Sequence, residues 1–91
     1  ETDFVSRFGG EEFTMLLPNT DKSMAIRLAN QLRHIIEQTG FNFDGKQPTP
    51  ITISCGVTEF INDDTPEAAF ERADGALYKA KQQGRNQCCD D

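Results

Sequence analysis

There is no tryptophan in this chain, and only nine lysines and arginines stand against 15 aspartates and glutamates. Without tryptophan, burial has to come from seven phenylalanines and the aliphatic side chains. A net charge of −6 excludes a general binder of nucleic acid, because that affinity rests on neutralising phosphates. A chain of this sign that handles phosphate needs metal ions and a few well-placed cations. No apolar run approaches the roughly 18–20 residues of a membrane span, so no direct membrane contact is expected of this segment. No charged-then-apolar secretion leader is visible either. Three cysteines are an odd count. Cys55 lies in an apolar run and reads as a small buried hydrophobe. Cys88 and Cys89 are adjacent and lack the spacing of a zinc site. The expected setting is reducing and cytoplasmic. The chain opens on Glu-Thr-Asp-Phe, without an initiator methionine and in mid-strand, and is read as a piece of a longer protein.

What is present is one domain's worth of chain at most: 91 residues, 36% hydrophobic. Residues 3–8 and 13–17 are β-prone and flank a Gly-Gly-Glu-Glu link, which predicts an antiparallel hairpin. Pro18 stops the second strand, and Asn19, Thr20 or Asp21 caps a helix over about 22–38. Met24, Ala25, Leu28, Leu32, Ile35 and Ile36 form its apolar face, with Met24 in the core and His34 exposed. Gly40 ends it. Phe41–Phe43 is a short strand and Asp44-Gly45-Lys46 a turn. Residues 50–60 read as a well-buried strand, in which Gly56 marks a bulge or a close backbone approach. Asp63 and Asp64 belong to a solvated loop without calcium-ligand spacing. Thr65-Pro66-Glu67 starts a second helix, with a narrow seam of Phe70, Ala73, Leu77 and Ala80, and Gly84 ends it. The tail from Gln87 is expected to fray. Strands alternating with helices indicate an α/β sandwich of the α+β kind, its helices on a mixed, largely antiparallel sheet.

Two places carry candidate chemistry. Gly9 and Gly10 would let a nucleotide lie against the backbone. Glu11 and Glu12 are successive, so one can face a ligand while the other braces it or reaches a metal. By spacing alone this is equally a solvated hairpin. Lys81 and Arg85 are four apart at the helix end, where they either complement the helix dipole or clamp phosphate.

Arg7-Phe8-Gly9-Gly10-Glu11-Glu12-Phe13 resembles the RxGG(D/E)EF signature of the GGDEF domain family of diguanylate cyclases. Thr52–Val57 is similar to that family's TxSxG(V/I) strand, and Arg72–Asn86 to its RADxALYxAKxxGRN helix. Three motifs in the right order cover nearly the whole chain. The resemblance implies a ferredoxin-like nucleotide-cyclase palm. It also implies condensation of two GTP molecules to cyclic di-GMP and pyrophosphate, with Mg²⁺ or Mn²⁺, between two facing domains of a homodimer. It implies Glu11 as metal ligand and base, Glu12 as metal ligand, Gly9 and Gly10 against the nucleotide, and Lys81 and Arg85 on the terminal phosphates. Asp3 falls at the acidic position of an inhibitory cyclic di-GMP site. The first half of the family domain, a strand of DxDxFKxxND character and its helices, has no counterpart here. Residues 1–91 are thus expected to be a partial domain, inactive alone, with a vacant central strand position. The alternative is a degenerate GGDEF regulatory module that binds nucleotide or mediates dimerisation.

Overall fold

The computed structural model describes residues 3–9, 13–41 and 49–91. Strands β1 (Phe4–Gly9) and β2 (Phe13–Leu17) are followed by helix α1 (Lys22–Gln38). Then come β3 (Gly40–Phe41), β4 (Thr49–Pro50), β5 (Ser54–Glu59), helix α2 (Pro66–Gln82) and β6 (Cys88–Asp90). The expected strand over 50–60 is therefore shorter, and Pro50 belongs to the separate two-stranded β3–β4 ladder. Of the Phe41–Phe43 strand only Phe41 is described; the Asp44-Gly45-Lys46 turn lies outside the described residues.

The main sheet runs β2-β1-β5-β6, antiparallel except for the parallel β5–β6 pair. It is mixed and largely antiparallel, as the patterning predicts. The vacant central position does not occur among the described residues. β1 uses both of its edges, bonding to β2 on one side and to β5 on the other. The tail is corrected as well. Residues 88–90 pair with β5 instead of fraying, and Lys22 Nζ sits 2.8 Å from Asp90 Oδ2, tying the strand to the first turn of α1.

Each face of the sheet carries one helix. Phe4, Ile53, Cys55 and Val57 pack with Ala25 and Ala29 of α1, while Val5 packs with Ala69 and Ala73 of α2. Asp21 caps α1 by accepting the Met24 N–H at 2.8 Å, and Thr65 caps α2 through the Ala68 N–H at 3.1 Å. The buried stripe of α1 is Ala25, Ala29, Leu32 and Ile36. Met24 is instead 41% exposed, and Leu28 and Ile35 also face outward. The two alanines bring the helix axis near the sheet, and residues one position off the stripe point past its edge. Phe70 likewise lies outside the α2 seam, at 37% exposure, because Ala69 takes the inward position. Cys55 is buried, and its hydrogen bond with the thiol of Cys88, its partner in β6, together with burial pushes its own thiol well above the ordinary value.

Asp64 is not a loosely solvated loop acid. Arg72 grips both its oxygens, at 2.9 and 2.6 Å, and also donates to the Glu59 carbonyl and the Thr58 hydroxyl. The Arg72 hydrogen bond, then the Ile61 N–H, hold the Asp64 carboxyl down at about 2 against an ordinary 3.8. A carboxyl depressed in the folded state adds stability that is present above its unfolded value and drains as pH falls through the folded one. The melting temperature of Asp64→Asn is accordingly expected to lie below wild type at pH 7, with the two curves converging between about pH 4 and pH 2. Parallel acid limbs in a thermal melt series would remove the pair from the acid response.

Candidate active site

Gly9 ends β1, and its partner across the ladder is Ser54, the first residue of β5. The Ser54 hydroxyl accepts the Asn86 N–H at 3.1 Å. One end of the sheet thus gathers the start of the Gly-Gly-Glu-Glu link, the Thr-Ile-Ser-Cys-Gly strand and the turn after α2. Gly10, Glu11 and Glu12 lie outside the described residues. Their attachment points are β1 and β2, held in register by the Phe8–Phe13 pair. Arg7, from the same signature, donates Nε to Asp74 Oδ1 at 2.7 Å and so fastens β1 to α2.

The helix end that carries Lys81 and Arg85 has a defined form. The Gly84 N–H reaches the Lys81 carbonyl at 3.4 Å and the Arg85 N–H the Ala80 carbonyl at 3.0 Å, the paired bonds of a Schellman turn. Gly84 has φ +116°, which glycine adopts without a Cβ penalty. The left-handed backbone continues through Arg85 (φ 64°) and Asn86 (φ 48°). For a side chain such as arginine that conformation costs about 1–2 kcal/mol. The cost is offset by Asn86, whose polar groups are bound on three sides. Besides its N–H, its Oδ1 accepts from Arg33 Nη1 at 2.8 Å and its Nδ2 donates to Glu37 Oε2 at 2.7 Å.

Lys81 is half-buried in the last turn of α2, and Arg85 is exposed just beyond it. Among the described residues no partner engages either cationic head, whereas Arg7, Lys22, Arg33 and Arg72 are each paired with a carboxylate. Asp3 stands at the opposite end of β1. Its carboxylate accepts the Asn19 N–H at 3.0 Å, which holds the turn where Asn19 takes φ 52°. Among the described residues no three His, Cys, Asp or Glu side chains come together as a metal site, and no helix is long and apolar enough to cross a membrane. Sequence reasoning missed Arg33, Glu37 and the anchoring parts of Ser54 and Asn86. Ser54 and Asn86 carried a signal, as fixed positions of the strand motif and the helix motif.

Known proteins resemble this chain both in sequence and in fold. Residues 1–87 match the family described as "Diguanylate cyclase, GGDEF domain". The chain is 48% identical over 86 residues to diguanylate cyclase DgcP of Pseudomonas aeruginosa, covering 94% of this chain but 13% of that protein. Among solved structures, the GGDEF domain of DgcB from Caulobacter crescentus, in complex with c-di-GMP, superposes with TM-score 0.89 at 20% identity, covering 98% of this chain and 77% of that one. The active GGEEF domain of a Vibrio cholerae diguanylate cyclase gives TM-score 0.83 at 25% identity, covering 99% and 83%. The chain therefore has the fold of these domains and spans about an eighth of the length of its Pseudomonas relative.

Proposed function

The chain belongs to the GGDEF domain family, and on that footing we propose that it is part of a catalytic domain that condenses two GTP molecules into cyclic di-GMP and two pyrophosphates. The observation that carries the proposal is the convergence of Gly9, Ser54 and the Gly84–Asn86 turn at one end of the sheet, with the cationic heads of Lys81 and Arg85 unengaged among the described residues.

In this reading Gly9 and Gly10 leave room for the nucleotide against the backbone. Lys81 supplies a mobile point charge and Arg85 a bidentate fork to the terminal phosphates. Glu11 takes the proton of the ribose 3′-hydroxyl as it attacks the α-phosphate of the second GTP. Glu11 and Glu12 are hard oxygen donors, a set that fits Mg²⁺ or Mn²⁺ and not a soft metal. Such an ion, when bound, neutralises triphosphate charge. Two domains, each holding one GTP, face one another in a homodimer, in the cytoplasm where GTP is made available. The product binds back at a site that includes Asp3. Residues 1–91 supply a part of this domain, so the assay belongs on the full-length protein.

Lys81→Ala and Arg85→Ala are each expected to lower kcat/KM for GTP by about 10- to 100-fold, the worth of a hydrogen bond to a charged group. Arg85→Lys should recover only part of the loss, since the fork is gone. If both alanine variants keep wild-type kinetics, the two cations serve the helix dipole alone.

A further inference from the structure

The tether on Asn86 has more reach than a turn needs. Gly84 and the two Schellman bonds already terminate α2. Asn86 nevertheless spends its side-chain amide on α1, an element more than 45 residues earlier in the chain, with Arg33 Nη1 at 2.8 Å and Glu37 Oε2 at 2.7 Å. Arg33 is itself steadied along α1, through Nε to Asn30 Oδ1 at 2.7 Å and Nη1 to Glu37 Oε1 at 3.4 Å. The Asn86 N–H is fixed to Ser54 on β5. The residue just before this anchor is Arg85, whose own N–H is held by the Ala80 carbonyl. Arg85 is therefore clamped at its backbone on both sides, in a conformation that arginine does not choose unaided, while its guanidinium is exposed.

We propose that Asn86, held by Arg33 and Glu37 of α1, is a positioning residue that aims Arg85 at the phosphates of the nucleotide. The proposal rests on the phosphate role of Arg85 argued above. The chemistry of the amide suits the task. One planar group must accept from a guanidinium on one side and donate to a carboxylate on the other, which asparagine does and aspartate does not. A rigid aim matters because displacing a charged fork by about 1 Å from its target can cost on the order of 10²-fold in rate. Helix α1 thereby takes part in the site without touching substrate.

The test is a double-mutant cycle in the full-length protein, with kcat/KM for GTP and the thermal midpoint measured on each variant. Asn86→Ala and Glu37→Ala are expected to lower kcat/KM by roughly 10-fold or more. Those losses should vanish when Arg85 is already alanine, because there is no fork left to aim. Asn86→Gly, which accepts the left-handed backbone but cannot reach α1, should fail to rescue, and Glu37→Gln, which keeps an acceptor, should recover most of the Glu37→Ala loss. A loss that persists undiminished in the Arg85→Ala background would show a structural role only and overturn the proposal. So would wild-type kinetics in Asn86→Ala and Glu37→Ala while Arg85→Ala is impaired. If Arg85→Ala itself is silent, the phosphate reading fails first and the positioning role with it. Should Asn86→Ala not fold, Glu37→Ala carries the same cycle from the surface of α1.

Discussion

Gly56→Ala is expected to lower the thermal midpoint of the domain by about 10 °C or more. A Cβ built on Gly56 would lie 2.1 Å from the Ala73 carbonyl oxygen and 2.2 Å from the Leu77 backbone nitrogen. Both obstacles are main-chain atoms of α2, so no side chain can swing aside, and the helix must move off the sheet. The interface has nothing to spare, since the buried residues of α2 are Ala69, Ala73, Ala76, Leu77 and Ala80, four of them alanines that let the helix lie close to the sheet. Overpacking a core typically costs 1–3 kcal/mol, occasionally more, and each kcal/mol is worth about 4–8 °C in a domain of this size. The same displacement carries Lys81 and Arg85 with it, so GTP turnover should fall below what lost stability alone explains, measured well below the midpoint. A melt within about 2 °C of wild type would mean that the two backbones can separate at little cost, and the close approach would not be a constraint.

Glu11→Gln in the full-length protein should reduce cyclic di-GMP formation by about 10²–10⁴, the usual worth of a general base, with loss of a metal ligand adding to it. At 1.36 kcal/mol per decade that is about 3–5 kcal/mol of lost transition-state stabilisation. Glutamine keeps the shape and removes the charge and the basic oxygen. Circular dichroism and melting should therefore stay close to wild type. Glu12→Gln should act differently, shifting the divalent-ion concentration needed for half-maximal rate more than the rate at saturating metal. Near-normal turnover in Glu11→Gln at all metal concentrations would remove Glu11 from the chemistry and leave the link between β1 and β2 a plain hairpin.

Much of this architecture is written locally. Three of the four helix bounds follow from Asp21, from Thr65-Pro66 and from Gly84, because a cap acts on backbone groups two or three residues away. The β1–β2 hairpin follows from two β-prone runs around a short glycine-containing link, and Gly56 announced its close approach because nothing else in the strand tolerates one. The candidate site residues, from Gly9 to Arg85, were legible as motifs. What the residues could not say alone is which of them meet. The stripe of α1 that turns inward is the one with Ala29, not Met24, and the choice depends on how near the sheet lies. Strand β6 is three residues long, too short for a pattern, and exists because β5 offers it an edge. Asp64 became the partner of Arg72 only when the loop folded over the helix. The anchor of the Arg85 turn joins Asn86 to residues 53, 49 and 32 positions away. Periodicity and caps report on a few neighbouring residues, whereas hydrogen bonds across such separations are set by the packing of α1 and β5 around the turn.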